Sequence, residues 1–119
     1  MERARFEALV KEVLHSLPRR FKKHLHNLAV MVEDRPKQSS GGSARSGILL
    51  GLYHGVPLRH RGFWYGNIPP DVIVIYREPI EQLAADEDDL RRIVKETVRH
   101  EIGHYFGLSE EEIEKYEDW

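Results

Sequence analysis

Residues 86–107 decide the fold of this chain, and they read DEDDLRRIVKETVRHEIGHYFG. The acidic residues at the start suit the positive end of a helix dipole, and apolar residues follow at helical spacing. We expect the helix to begin near Asp86 or Asp88. It should end at Gly107, because a glycine adopts the left-handed conformation of a helix terminus without a Cβ penalty.

Two histidines of this helix, His100 and His104, are spaced to bind one metal ion. Placed at steps of about 100° per residue, they lie at the edge of the apolar face, where ring nitrogens that point inward need partners. A Zn²⁺ ion satisfies both, and Glu101 between them is left to act as a base on water. Composition alone gives such a pentapeptide about one time in twenty, so the flanking residues matter.

The flanking residues supply a candidate third ligand. A sharp turn at Gly107 would send the chain back toward the histidines, which makes Glu110 the natural choice. A second interpretation stays open, since Ser109 and Glu112 have the spacing of a capping box, and acids are common in a first helical turn. Glu114 and Asp118 are less favoured rivals among the residues that follow, and His54 and His60 are the alternative ligands outside this segment.

The segment HEIGHYFGLSEEEI, residues 100–113, resembles the signature of the small bacterial zincin-like metallopeptidases, single-domain proteins described as minimal zincins. The likeness also covers SLP at 16–18, NLAVMVED at 27–34, LLGLYHGVPL at 49–58 and PDVIVIYREPI at 70–80. The resemblance implies a zincin-like α+β domain with His100 and His104 as zinc ligands, Glu101 as catalytic base and Glu110 as third ligand.

The metzincins are a more distant likeness. They share the glycine at this spacing, but they usually carry a third histidine where this chain has Glu110. They also have a methionine turn downstream of the motif, whereas the two methionines here, Met1 and Met31, lie upstream. The departure bears on metal affinity and metal identity.

The rest of the sequence predicts one α+β domain over residues 1–119. We expect a small, mostly antiparallel or mixed sheet of about three to four strands, packed against an N-terminal helix and the active-site helix. The N-terminal helix, with apolar residues at helical spacing from Phe6 to Leu17, should end at Pro18, and a short helical turn through Phe21 and Leu25 is expected to follow. The predicted strands are Leu28 to Val32, Ile48 to Tyr53 and Val72 to Tyr76, and residues 35–47 are expected to form a mobile loop.

Composition limits the chemistry and the location. The absence of cysteine excludes disulfides and thiolate ligands, which leaves His, Asp and Glu to bind zinc. No apolar run has the length of a signal core or membrane span, so a cytoplasmic protein is expected. Oligomeric state is not predicted by any feature of the sequence.

Charge is divided unevenly along the chain. Residues 1–60 carry eleven Lys or Arg against five acids, and residues 61–119 carry seven against fifteen, which gives +6 and −8. The densest basic cluster, residues 19–24, follows the first helix, where cations suit the negative end of the dipole. A solvated basic surface is therefore favoured over a nucleic-acid site.

The function predicted from these features is a zinc-dependent metallopeptidase that acts on a peptide or protein. Glu101 would take a proton from water and pass it to the departing amine. Tyr65, Tyr76 and Tyr105 are candidates for stabilising the carbonyl oxygen, and residues 54–66 for a substrate wall. The alternatives are a binding or regulatory module with little or no turnover and, less favoured, a nucleic-acid-associated protein.

Overall fold

The structure is a computed structural model that describes residues 1–25, 27–37, 43–45, 48–55 and 71–115. The described chain forms five helices and four strands. In chain order they are α1 (Arg3–His15), α2 (Arg19–Lys22), β1 (Leu28–Glu33), β2 (Ser43–Arg45), β3 (Ile48–His54), β4 (Asp71–Tyr76), α3 (Arg77–Leu83), α4 (Glu87–Phe106) and α5 (Glu110–Lys115).

The four strands form one mixed sheet in the order β1-β4-β3-β2. β1 runs parallel to β4, while β4 and β3, and β3 and β2, are antiparallel. All three strands predicted from β-branched and aromatic runs are present, and their bounds agree to within one residue. The prediction of an α+β fold with a small mixed sheet is confirmed.

Two elements were not predicted. Ser43–Arg45 forms the short strand β2 inside the segment expected to be a loop, and it pairs Ala44 with Leu49 and Arg45 with Ile48. Backbone hydrogen bonds to β3 define this strand. Three residues are too few to show the alternating side-chain pattern from which a strand is predicted. Helix α3 begins directly after β4, and Pro79 lies in its first turn, where the missing N–H costs little.

The core lies between the sheet and helices α1 and α4, which pack against each other. Alternate residues of β4 point into it, so that Ile73 and Ile75 are completely buried. The residues that helical spacing places on the apolar face of α4 are all buried. Each buried aliphatic side chain contributes roughly 1.5–3 kcal/mol relative to exposure, which holds α4 against the sheet. These residues of α4 are Leu90, Ile93, Val94, Thr97, Val98, Ile102 and Tyr105.

Helix α4 begins and ends where the sequence predicts. Asp86 is the N-cap and its Oδ1 accepts the Asp89 N–H at 2.8 Å, while the Asp89 Oδ2 accepts the Ala85 N–H at 2.9 Å. At the other end Gly107 is left-handed, with φ of 85°. The Leu108 N–H donates to the Gly103 carbonyl at 3.0 Å and the Gly107 N–H to the His104 carbonyl at 2.9 Å, which is a Schellman terminus.

Among the described helices, none is both long and apolar enough to cross a membrane.

The cap of α4 gives a stability prediction. Asp86→Ala should lower the free energy of unfolding by about 1 kcal/mol, because the Asp89 N–H loses its acceptor. Asp88→Ala is the matched control, since this exposed acid in the same turn contributes only a few tenths of a kcal/mol through the helix dipole. Urea unfolding followed by circular dichroism measures both. Equal losses in the two variants would contradict the capping role.

Candidate metal centre

The last two turns of α4 present His100 and His104 side by side. The ring centroids are 4.9 Å apart and the rings are inclined at 74°. About a third of each side chain is exposed, 28% for His100 and 31% for His104. The pair therefore lies at the border between core and solvent, as the edge position on the helix predicts, and it is open to an ion or a ligand.

Glu110, the first residue of α5, completes a three-membered cluster with the histidines. Its Oε1 lies 3.2 Å from the Nε2 of His100 and 3.2 Å from the Nε2 of His104. The side chain is 67% exposed, so burial does not force it into this position. One carboxylate oxygen thus faces two imidazole nitrogens at equal distances.

The return of the chain to the histidines depends on Gly103, the residue just before His104. A Cβ built at Gly103 would lie 2.6 Å from the Cγ1 and 2.8 Å from the Cδ1 of Ile113, which is itself 8% exposed. Real Cβ atoms do not approach that closely, so only glycine lets α5 pack against α4 at this point. The left-handed turn at Gly107 reverses the chain, and the Ile113 contact fixes α5 in place.

The capping box predicted from Ser109 and Glu112 is present, and it does not use Glu110. The Ser109 N–H donates to the Glu112 Oε1 at 3.1 Å, and the Glu112 N–H donates to the Ser109 Oγ at 3.2 Å. The two interpretations of this segment are therefore compatible, because one acid closes the cap and the other faces the histidines. The sequence left the capping role and the ligand role as alternatives, because it does not show which acid faces the histidines.

Glu101 lies beneath the histidines and is completely buried. One carboxylate oxygen of Glu101 and one ring nitrogen each of His100 and His104 lie within 4.8 Å of one another. The three residues could hold a metal ion as a group. At this separation Glu101 is within reach, directly or through one water, of a group bound between the imidazoles.

The spacing of the donor atoms fits zinc. Two ligands of a tetrahedral zinc ion, each about 2.0–2.1 Å from the metal, lie about 3.3–3.4 Å apart. The two Glu110–histidine separations of 3.2 Å are close to that value. Two imidazoles and one carboxylate also form the donor set of catalytic zinc sites that keep an open position.

Comparisons with known proteins agree with the geometry. A family model described as zincin-like metallopeptidase matches residues 25–119. The chain belongs to the zincin-like metallopeptidase family. The match begins after α1 and α2, so it includes the whole sheet, α4 and α5.

A solved structure shares the fold of this zincin-like domain. It is a conserved hypothetical protein from Thermus thermophilus, 27% identical in sequence, with a TM-score of 0.56, and the alignment covers 89% of this chain and 94% of that one. Its description assigns no activity. A comparison with curated proteins gave no significant match.

The predicted tyrosines of the zincin-like domain have different surroundings. The Tyr105 hydroxyl donates to the His24 carbonyl at 2.9 Å, which gives it a structural partner. Burial, with the charges of Glu33 and Glu101, raises the pKa of Tyr76, so its phenol is neutral and can donate a hydrogen bond at neutral pH. Tyr65 lies outside the described residues.

The alternative histidine ligands do not join the cluster in the described part of the chain. His54 is exposed at the end of β3, and it belongs neither to the group of His100, Glu101 and His104 nor to the contacts of Glu110. His60 and most of the predicted substrate wall, including Phe63 and Trp64, lie outside the described residues.

The position of Glu110 gives a prediction about metal affinity. Glu110→Gln should weaken zinc binding by about tenfold or more, because the amide is a poorer ligand than a carboxylate for zinc. Glu111→Gln removes the same charge one residue later, on an exposed side chain, and should leave the affinity within about twofold. Competition with a chromophoric chelator measures both. Equal affinities in the two variants would show that Glu110 is not a ligand.

Proposed function

We propose that this zincin-like protein is a zinc-dependent metallopeptidase that hydrolyses peptide bonds. His100, His104 and Glu110 would hold the ion, and Glu101 would serve as the general base. The observation that carries the proposal is a single Glu110 oxygen equidistant from two imidazole nitrogens, with a buried carboxylate beneath them.

The ion would supply Lewis-acid chemistry. When bound, zinc lowers the pKa of water toward neutrality and polarises a carbonyl oxygen. The protein contributes three ligands and an opening on the side where the histidines are exposed. A substrate carbonyl would approach from that exposed side.

Glu101 is placed to move the proton. Its carboxylate accepts a proton from the attacking water and then delivers it to the amine that leaves, which is a common task for a glutamate beside a metal. Full burial in the contact between α4 and the sheet restricts its conformations. A purely structural metal site has no need of such a base, so Glu101 favours the enzyme over the regulatory module.

The sheet offers a surface for an extended substrate. β1 and β2 are the edges of the described sheet, and α4 contacts β2 as well as β3 and β4. A peptide that adds to the β2 edge by backbone hydrogen bonds would run alongside α4. This supports a peptide or protein as the substrate, since an edge strand pairs with the main-chain amides of an extended chain.

The basic segment at residues 19–24 gives less support to a nucleic-acid function. Arg19, Arg20, Lys22 and Lys23 are exposed. Phe21, however, is packed against Phe106 with ring centroids 5.7 Å apart. The aromatic ring of the cluster is thus used inside the protein, where it cannot stack on bases.

Replacing the base tests the proposal. Glu101→Gln should retain stoichiometric zinc and lose cleavage of a peptide library by about 10²–10⁴-fold, because the amide cannot accept the proton. Glu114→Gln, an exposed acid on α5, should keep wild-type cleavage. Metal analysis of each protein accompanies the cleavage assay. Wild-type protein without bound zinc, or equal cleavage by wild type and Glu101→Gln, would overturn the proposed function.

A further inference from the structure

Strand β3 carries a glycine, Gly51, that faces α4. A Cβ built at Gly51 would lie 2.8 Å from the Thr97 Cγ2, 3.2 Å from the Val74 carbonyl oxygen and 3.4 Å from the Glu101 Cγ. The first distance is shorter than any real Cβ contact, and the second is tight. Any larger residue at 51 would therefore push α4 away from the sheet at the turn that carries Glu101.

The backbone does not require a glycine there. The left-handed glycines of the described chain are Gly55 and Gly107, so Gly51 has a conformation that other residues adopt. The register of β2 and β3 shifts beside it, from Ser43↔Gly51 to Ala44↔Leu49, so that β3 has one more residue than β2 at this point. Glycine inside a strand costs stability. The small space between β3 and α4, and not the backbone conformation, therefore accounts for glycine at position 51.

Thr97 cannot easily move out of the way. Its hydroxyl donates to the Ile93 carbonyl at 2.8 Å, and the residue is 4% exposed. The hydrogen bond fixes the side-chain rotamer and thereby the position of the methyl group over Gly51. Thr97 lies one helical turn before Glu101 on the same face of α4, so a displacement at Thr97 is passed on to the carboxylate.

We propose that Gly51 is a positioning residue for the catalytic base: its missing side chain sets the depth at which Glu101 lies under the two histidines. This inference rests on the proposed function. Of the proposed ligands, His104 and Glu110 lie farther along the chain, where Gly103, Gly107 and Ile113 fix the approach of α5. His100 is next to Glu101, but its ring lies at the border with solvent and is not among the atoms nearest the new Cβ. A change at Gly51 should therefore act on the base more than on the ion.

The test is a double-mutant cycle with Gly51→Ala and Thr97→Ser. Serine keeps the hydroxyl that bonds Ile93 and removes the methyl group that faces Gly51. With a single peptide that wild type cleaves from the library as the substrate, Gly51→Ala should lower kcat by about tenfold to a hundredfold, as expected for a catalytic group displaced by about 1 Å. Its KM and zinc dissociation constant should stay within about threefold of wild type. Thr97→Ser alone should keep kcat within about threefold.

The double variant separates positioning from general damage. Gly51→Ala with Thr97→Ser should recover most of the lost kcat, and its metal-free protein should melt at a higher temperature than that of Gly51→Ala alone. Recovery should be incomplete because the Val74 carbonyl stays near the new Cβ. Val30→Ala, in β1, is the control for destabilisation away from α4 and should leave kcat unchanged.

The outcomes distinguish the two proposals. Wild-type kcat in Gly51→Ala, equal loss of zinc affinity and kcat, or no recovery in the double variant would overturn the inference about Gly51 and leave the peptidase intact. Wild-type protein that binds zinc and cleaves no peptide would overturn the proposed function, and the catalytic role of Gly51 with it. The melting temperatures of the metal-free proteins measure the Gly51–Thr97 contact in either case.

Discussion

The approach of one Glu110 oxygen to two imidazole nitrogens is the contact on which the candidate site depends. A contact of this kind between polar side chains at the surface contributes at most about 1 kcal/mol to stability, so it does not by itself hold the three groups together. The scaffold brings the three groups together instead. The left-handed Gly107 reverses the chain, Gly103 leaves space for Ile113, and the Ser109–Glu112 cap starts α5 at the position that places Glu110 over the histidines.

A metal ion bound in this arrangement would connect helix α5 to helix α4. Helix α5 has six residues, too few to be stable in isolation, so packing on α4 has to hold it. An ion bound by His100, His104 and Glu110 would add a second link between α4 and α5, and ligand binding of this kind stabilises the folded state by mass action. The buried Glu101 is fixed separately, through the contact of α4 with β3. In the proposed site, Glu110 is therefore held through α5, whereas Glu101 is held through the contact of α4 with β3.

Much of the structure could be predicted because local signals agreed with tertiary packing. The bounds of α4, its buried face and the left-handed Gly107 follow from acids, helical periodicity and one glycine within a single stretch. Three strands follow from β-branched runs. Strand β2 was not predicted, because its pairing with β3, and not a side-chain pattern, defines it. Helix α3 was not predicted, because a proline in its sequence is also typical of a helix boundary.

The glycines of the site were the larger omission. Gly51 and Gly103 both occupy interior positions of regular elements, where glycine costs roughly 0.5–1 kcal/mol of stability relative to alanine. A glycine at such a position indicates that another part of the chain packs closely against it. The sequence does not show what approaches. Only the structure shows that Thr97 and Glu101 face Gly51 and that Ile113 faces Gly103. The sequence likewise left the two roles of the acids after Gly107 as alternatives, whereas the structure divides them between Glu110 and Glu112.

Glu110 as a ligand and Glu101 as the base can be distinguished by anomalous diffraction at the zinc edge from crystals of the zinc-loaded protein. We expect one ion bonded to His100, His104 and a Glu110 oxygen at about 2.0–2.2 Å, with Glu101 beside the ion and not bonded to it. An ion bonded to Glu101 while Glu110 points to solvent would contradict this assignment.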